Sequence, residues 1–269
     1  MNFDTHAHLN FNAFEKDRDQ VIKECLDNDV SMINVGSNFF NSKKAIEMAN
    51  QYEKGVYAAV GIHPIHLNTG LVKVKQDPEE GELEEEEFDH DKFKDLALDK
   101  KVVAIGEIGL DYYWKPKTKI RLFEFKRLQK ELFIQQLDLA TELKLPVILH
   151  CRMAHKDMIE VLEDYKFQYG GVIHCFTGDL EQAQKYIDLG FHIGMNGIIF
   201  KFDINDVIRN IDADKILFET DCPYLSPPDY KKRNDPMGMK IVKQRVEELR
   251  KEEIDGFGNA MRVFDIEGR

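Results

Sequence analysis

Histidines and carboxylates stand at the ends of several short apolar segments of this 269-residue chain. The stretch "DTHAHLN" places His6 and His8 at the end of the first segment, and Glu107 ends another. Alternate side chains of a strand point to the same side, so His6 and His8 are expected to face one direction. Taken alone, such a pair is either a metal-binding pair or simply a polar strand end.

Six of the eight predicted strands end in a residue that can titrate or bind a metal. The further residues at these ends are His63, His66, Asp111, His150, Arg152, His174, Glu219 and Asp221. Four histidines with two or three carboxylates exceed the ligands of one tetrahedral ion. They predict two metal ions bridged by a carboxylate, a site that activates water for the cleavage of an ester or phosphoester. The sequence therefore predicts a hydrolase, since no thiolate pair or redox-cofactor motif accompanies these residues.

The elements that must position these residues alternate between strands and helices. The predicted strands are 2–6, 31–36, 56–61, 101–107, 145–150, 170–175, 191–195 and 215–220. Continuous apolar runs are typical of parallel strands that are covered on both faces, and the clearest helical pattern spans 119–143. The order predicts an α/β protein with a single (β/α)₈ barrel, whose site lies at the carboxyl ends of the strands. A doubly wound open sheet is the alternative, because periodicity does not show closure.

The length allows one large domain or two small ones, and the barrel pattern predicts a single domain over residues 1–265 with a composition typical of a soluble protein. Its net charge of −12 falls to −2 without the ten acidic residues of 76–91, which belong to an insertion at about 70–91. We expect this insertion to follow the third strand as a solvated, mobile loop, or alternatively to repel DNA. No apolar run is long enough for a membrane span and no secretory signal or disulfide pattern is evident, so we expect a cytoplasmic protein. The final "IEGR" (266–269) resembles a protease site and is predicted to be a tail outside the domain.

The segments "DTHAHLN", "GIHP", "GEIGLDYY", "HCR", "HCFTG" and "ETDCPYLSP" followed by "RNDP" resemble the TatD-type metal-dependent deoxyribonucleases, a group of amidohydrolase-like barrels. The resemblance runs from residue 2 to about residue 264. It implies one ion held by His6, His8 and Asp221, a second held by His150 and His174, and Glu107 as the bridge. It further implies a 3′→5′ exonuclease acting mainly on DNA with Mg²⁺. Asp235 in "RNDP", where the family has Glu, and the acidic insertion depart from the pattern.

Other residues receive roles that follow from their chemistry and their position. Asp221 is predicted to accept a proton from the attacking water besides binding metal, and Glu107 is catalytic as the bridge. His63 is predicted to donate to the scissile phosphate, and Arg152 to bind phosphate through its guanidinium. Arg233 either contacts substrate or braces its loop. Three cysteines come directly after predicted ligands in the sequence, namely Cys151, Cys175 and Cys222. Their side chains are predicted to point away from the metals and to pack in the core as small apolar groups.

The prediction for the whole protein is a monomeric enzyme with two divalent ions, Mg²⁺ first and Mn²⁺ or Zn²⁺ as alternatives. Its partner is DNA, either single-stranded or at 3′ ends, and no membrane is involved. Two other functions stay open at this point. One is an amide or carboxyl-ester hydrolase of the same barrel group, although such enzymes commonly place a carboxylated lysine where this chain has Glu107. The other is a metal-binding barrel without turnover.

Overall fold

Eight parallel strands form the centre of the molecule. The computed structural model describes residues 1–67, 69–75, 77–81, 86–228 and 230–266. The strands are β1 (Asn2–Ala7), β2 (Val30–Val35), β3 (Val56–Val60), β4 (Val102–Asp111), β5 (Val147–Arg152), β6 (Gly171–Ile173), β7 (Phe191–Met195) and β8 (Ile216–Phe218). Each strand pairs with the next one along the chain, in the order β1 to β8. All eight predicted strands are therefore confirmed.

Hydrogen bonds also join the first strand to the segment at the end of the last. The Asp221 amide donates to the His6 carbonyl at 2.8 Å, and the His8 amide donates to the Cys222 carbonyl at 3.0 Å. The Thr5 hydroxyl donates to the Phe218 carbonyl at 3.2 Å. These bonds bring the two edges of the sheet together, so the fold is a TIM barrel and the open-sheet alternative is wrong.

Helices cover the outside of the barrel between successive strands. They are α1 (Arg18–Asp27), α2 (Phe39–Ala49), α3 (His90–Ala97), α4 (Lys119–Leu143), α5 (His155–Tyr165), α6 (Leu180–Asp188), α7 (Asn205–Asn210), α8 (Met239–Arg250) and α9 (Gly256–Val263). The helix predicted over 119–143 is confirmed as α4. None of the described helices is long and apolar enough to cross a membrane.

The barrel interior is filled at one end by apolar side chains from near the starts of the strands. Phe3, Val103 and Leu217 belong to this buried cluster, together with Ala260 and Phe264 at the chain's last helix. Among the described helices, α9 is the one with residues in this buried cluster. It therefore packs against the end of the barrel where the strands begin. The carboxyl ends of the strands are left for polar side chains. Within the predicted tail 266–269, Ile266 is instead buried in this cluster, and 267–269 lie outside the described residues.

Strand β4 is longer than predicted and continues four residues beyond Glu107 to Asp111. Glu107 therefore lies inside a strand. Gly109 makes this extension feasible, because its φ of +140° is rare for other residues and a Cβ would lie 2.1 Å from the His150 carbonyl oxygen. The "GEIGLD" motif thus brings β4 against β5 at the level of the candidate site.

The acidic insertion follows β3, as predicted, and part of it packs against the barrel. Residues 76 and 82–85 lie outside the described residues. The Glu80 carboxylate is buried and lies 2.8 Å from His66 Nε2, and it also accepts a hydrogen bond from the Ser37 hydroxyl. The Tyr224 hydroxyl donates to Asp77 at 2.8 Å. The prediction of a solvated segment is therefore wrong for Glu80 and Asp77, which make specific polar contacts with the barrel, whereas Glu79 and Glu87 are exposed.

Candidate metal centre

Six predicted ligands converge at the carboxyl ends of the strands. His6 and Glu107 lie within β1 and β4, and His150 lies within β5. His8, His174 and Asp221 lie one to three residues beyond the ends of β1, β6 and β8, respectively. Parallel strands in a barrel end on one face, which explains why residues this far apart in sequence meet.

The first group of donor atoms surrounds His6 and His8. Their Nε2 atoms lie 3.0 Å apart. Glu107 Oε2 is 3.3 Å from His6 Nε2, and Asp221 Oδ1 is 3.3 Å from His8 Nε2. The ligand atoms of one tetrahedral ion, each about 2.1 Å from the metal, lie about 3.4 Å apart. These four atoms therefore fit a single divalent ion.

The second group surrounds the other oxygen of Glu107. Glu107 Oε1 lies 2.7 Å from His150 Nδ1 and 4.0 Å from His174 Nε2. Since Oε2 faces the first group and Oε1 faces the second, the carboxylate stands between two sets of donors. This is the arrangement of a bridging ligand.

Groups behind the imidazoles fix which nitrogen faces the centre. His8 Nδ1–H donates to the Val35 carbonyl at 2.9 Å, which leaves the Nε2 lone pair for a metal. His174 Nδ1 lies 2.9 Å from Glu219 Oε1. The same carboxylate accepts from the Cys175 amide at 2.7 Å and from Asn196 Nδ2 at 3.0 Å. Glu219 is thus a buried anchor that orients His174.

Without metal, the imidazoles and carboxylates of the centre shift each other's pKa values. Burial alone would lower the pKa of His150, but hydrogen bonds to Asp111 and Glu107 raise this pKa to about 9. Burial likewise opposes the charge of Glu107, yet the histidines around it hold its pKa well below the usual value. The carboxylates therefore stay ionised and favour the protonated form of His8, His150 and His174, whereas burial lowers the pKa of His6; a divalent ion would displace such protons.

His63 lies at the same centre, but its ring nitrogen that faces the carboxylates carries a proton instead of a free lone pair. Its Nδ1 accepts the Ile65 amide at 3.1 Å, so the proton of the neutral ring is on Nε2. This Nε2 lies 3.6 Å from Glu107 Oε1. Burial, assisted by the nearby His150, lowers the pKa of His63 to about 3. His63 is therefore a neutral donor, although Glu107 and His150 make it a geometric candidate for a ligand.

Arg152 lines the cavity over the metal centre, with 49% of its side chain exposed. Its guanidinium lies over the Tyr113 ring at 3.7 Å from the centroid.

Arg233, the other predicted substrate contact, is absent from the described cavity lining. Its guanidinium pairs with Asp17 at 2.8 Å and packs on Phe14. The structure brings Arg152 to the site, whereas the described contacts of Arg233 lie outside the cavity lining.

Cys175 does not point away from the centre as predicted. It lines the cavity, and its Sγ is within 4.8 Å of ligand atoms of His174 and Asp221. The strand alternation used for the prediction ends at Ile173, and Cys175 has a left-handed φ of 48°. Burial raises the pKa of the Cys175 thiol to about 12, so the group remains a thiol when no metal is bound. Cys222 is fully buried, and Cys151 is buried at the cavity wall.

The cavity over the centre has a volume of about 900 Å³. One wall comes from the acidic insertion and consists of Val74, Lys75, Asp77, Pro78 and Glu80. Exposed aromatic and apolar residues also line the cavity, and they are Tyr113, Trp114, Met153 and Phe202. The position of the insertion on the face of the site was expected from its place after the third strand, whereas the cluster of exposed aromatic and apolar residues was not predicted, because it depends on contacts between distant loops. Glu219 was visible as a strand-end carboxylate, but its contact with His174 was not.

The chain is similar to one known protein family along most of its length. The family model described as "TatD related DNase" matches residues 3–263. An uncharacterized metal-dependent hydrolase of Bacillus subtilis, YabD, is 35% identical over 99% of this chain and 100% of its own length. The Escherichia coli K12 protein named "3′-5′ ssDNA/RNA exonuclease TatD" is 32% identical over 93% of this chain and 92% of its own.

A solved structure is similar over nearly the whole chain. The crystal structure of YjjV, a TatD homologue from Escherichia coli K12, has a TM-score of 0.81 and 28% sequence identity. The match covers 98% of both chains. The described barrel and the sequence motifs of the metal centre therefore agree with one family.

Proposed function

The chain belongs to the TatD family of metal-dependent hydrolases, and on that premise we propose that it is a 3′→5′ exonuclease acting on single-stranded DNA. It hydrolyses phosphodiester bonds at a two-metal site. His6, His8 and Asp221 would hold the first ion, and His150 and His174 would hold the second. Glu107 would be a ligand to both.

The observation that carries this proposal is the position of Glu107. One carboxylate oxygen lies 3.3 Å from His6 Nε2, and the other lies 2.7 Å from His150 Nδ1. A carboxylate that serves a single ion does not require imidazoles at both oxygens. Glu107 also occupies the fourth strand, where an amide hydrolase of this barrel group would commonly carry a carboxylated lysine.

Two divalent ions in this site would supply a water of lowered pKa and would polarise the phosphodiester. The protein contributes the groups around them. Asp221 is ionised, because the neighbouring histidines lower its pKa, so it can accept a proton from the attacking water. His63 offers its Nε2–H to a phosphate oxygen without carrying charge. Arg152 offers a planar cation that matches the charge and geometry of a phosphate.

Support for a nucleic-acid substrate comes from two sources. The relative in Escherichia coli K12 bears the name of a single-stranded DNA and RNA exonuclease. In this chain, Arg152 lies at the centre with a large exposed fraction, and within the described residues its ion partner is Asp111 at 3.9 Å. A cation this weakly paired beside metal ligands suits an anionic substrate better than a neutral amide or carboxyl ester.

The donor set also bears on the choice of ion. The family resemblance implies Mg²⁺, whereas imidazole ligands suit Zn²⁺ and Mn²⁺ well. We propose Mg²⁺ as the activating ion. The test therefore supplies each of the three ions separately to metal-depleted protein.

The test is the release of nucleotides from single-stranded DNA labelled at its 5′ end, with wild type compared with Glu107→Ala. We expect wild type to shorten the DNA stepwise from the 3′ end and the variant to lose at least about 100-fold in rate. Exposed Glu163 on α5 provides a matched control, since Glu163→Ala removes the same charge outside the centre and outside the acidic insertion. No Glu107-dependent shortening with any ion would refute the proposal. Glu107-dependent cleavage of amide or carboxyl-ester substrates instead would identify the alternative hydrolase.

A further inference from the structure

Large apolar side chains are concentrated at the mouth of the cavity. Tyr113, Trp114, Met153 and Phe202 have exposed fractions of 49%, 41%, 63% and 54%. All four line the same cavity as the metal centre. Exposed apolar groups gathered in one concave surface indicate a ligand-binding area rather than scattered surface residues.

Trp114 offers a supported aromatic surface at this mouth. It follows the end of β4 by three residues and lines both the main cavity and a small crevice formed with Ile65 and Val74. The Tyr113 ring meets the indole edge-on, with centroids 5.1 Å apart and planes at 89°. The indole therefore has protein on more than one side and still faces the cavity.

A chain of contacts connects this aromatic pair to the metal centre. His150 Nε2 lies 3.2 Å from Asp111 Oδ2, and the same carboxylate oxygen lies 3.9 Å from Arg152 Nη1. The Arg152 guanidinium then lies over the Tyr113 ring, which is next to Trp114. From the centre outward, the order is a metal ligand, a phosphate-binding cation and an aromatic ring.

We propose that Trp114 is the stacking surface for an unpaired nucleobase of the substrate, next to the phosphate held by Arg152. This inference rests on the proposed nuclease function and specifies how that site recognises a single strand. In a nucleotide, a flat base is joined to an anionic phosphate, and this matches an exposed ring beside a cation. A duplex covers both faces of each base, so stacking on Trp114 favours unpaired ends. Stacking of this kind tolerates every base, because each base has a π-face.

The chain is suited to a direct binding measurement, because Trp114 is its one tryptophan. Phosphorothioate-linked oligothymidylate resists cleavage and serves as the probe in Mg²⁺ buffer. A matched abasic oligomer with the same number of phosphates is the control ligand. We expect oligothymidylate to quench the tryptophan emission and the abasic oligomer to bind through its phosphates without this quenching.

Substitutions of Trp114 distinguish a loss of base stacking from a general loss of the binding surface. We expect Trp114→Ala to weaken the affinity for oligothymidylate about tenfold, measured by fluorescence anisotropy of a labelled probe, and to leave the affinity for the abasic oligomer within twofold. Trp114→Phe keeps an aromatic face and should stay within about threefold of wild type. Phe123→Ala removes another exposed aromatic residue, on α4 and outside the cavity lining, and should bind both probes as wild type does.

The proposal would be overturned if Trp114→Ala bound oligothymidylate as tightly as wild type, or lost both probes equally. Absence of quenching by oligothymidylate in wild type would also overturn it. These outcomes are distinct from a failure of the nuclease proposal, which would appear as DNA that is not shortened in a Glu107-dependent manner. Normal shortening by Trp114→Ala with an unchanged KM would reject stacking and leave the nuclease proposal intact.

Discussion

Replacement of Glu80 by alanine should destabilise the protein strongly, although Glu80 belongs to an acidic segment. Its side chain is 6% exposed and lies 2.8 Å from His66 Nε2. It also accepts hydrogen bonds from the Ser37 hydroxyl and, at 3.3 Å, from Asn41 Nδ2. Loss of one partner from a buried charge pair typically costs about 3–5 kcal/mol. We therefore expect Glu80→Ala to lower the free energy of unfolding by about 3 kcal/mol.

The matched control is the adjacent residue. Glu79 is exposed, and Glu79→Ala removes the same charge from the same segment. We expect this variant to remain within about 0.5 kcal/mol of wild type. Urea unfolding at pH 7, followed by circular dichroism, measures both. Equal free energies of unfolding for the two variants would refute the conclusion that the insertion is fixed to the barrel.

The pH dependence provides a second check on Glu80. Burial raises the pKa of its carboxyl group, but the hydrogen bond and charge of His66 outweigh this and lower the pKa below its usual value. A lowered folded-state pKa means that the stabilising contribution is present above the unfolded pKa of about 4.3 and disappears as the pH falls through the folded value. The difference in stability between wild type and Glu80→Gln should therefore shrink below about pH 4.

Three further predictions concern the site. Arg152→Ala should raise the KM for single-stranded DNA about tenfold and change kcat less than about twofold, because a charge-assisted phosphate contact is lost. In the metal-free protein, His150 should contribute about 2–3 kcal/mol of unfolding free energy at pH 7 that is lost by pH 9.5, since its pKa is raised to about 9 and its contribution is lost as the pH rises through that value. This loss, followed by urea unfolding, should be smaller in Asp111→Asn. Neutralising exposed Glu79 and Glu87 should speed DNA cleavage at low salt and have no effect at about 0.5 M salt, where surface charges are screened.

Each of these predictions has a result that would contradict it. An unchanged KM in Arg152→Ala would remove this residue from the substrate-binding surface. A metal-free stability that is flat up to pH 9.5 would mean that His150 is not held protonated by Asp111 and Glu107. Equal cleavage rates at low salt, with and without the two exposed glutamates, would show that the acidic segment does not repel DNA.

The barrel was predictable because its signals are local. Each strand is a short continuous apolar run, and α4 carries a helical pattern along its length. The ligand cluster was also predictable, since Glu107, His150 and the other ligands stand at equivalent ends of parallel strands. A barrel brings such ends together whatever their separation in sequence.

The remainder depended on contacts that no local pattern encodes. The burial of Glu80 requires His66, which lies 14 residues earlier in the same connection, and Ser37, which lies in the connection after β2. The acidic composition around it indicated solvation instead. Arg233 looked equally suited to substrate or to loop bracing, and its pairing with Asp17 is a contact between the first and last connections of the barrel. The orientation of Cys175 was missed because strand alternation stops at the end of β6.

The most direct test of the central claim is the metal content of the purified chain after depletion and reloading. Elemental analysis should give two divalent ions per wild-type chain and at most one per chain in Glu107→Ala, with the circular dichroism of both unchanged. Glu79→Ala should retain two ions. One ion per wild-type chain, or two ions retained in Glu107→Ala, would contradict the account of Glu107 as the bridge between two metal sites.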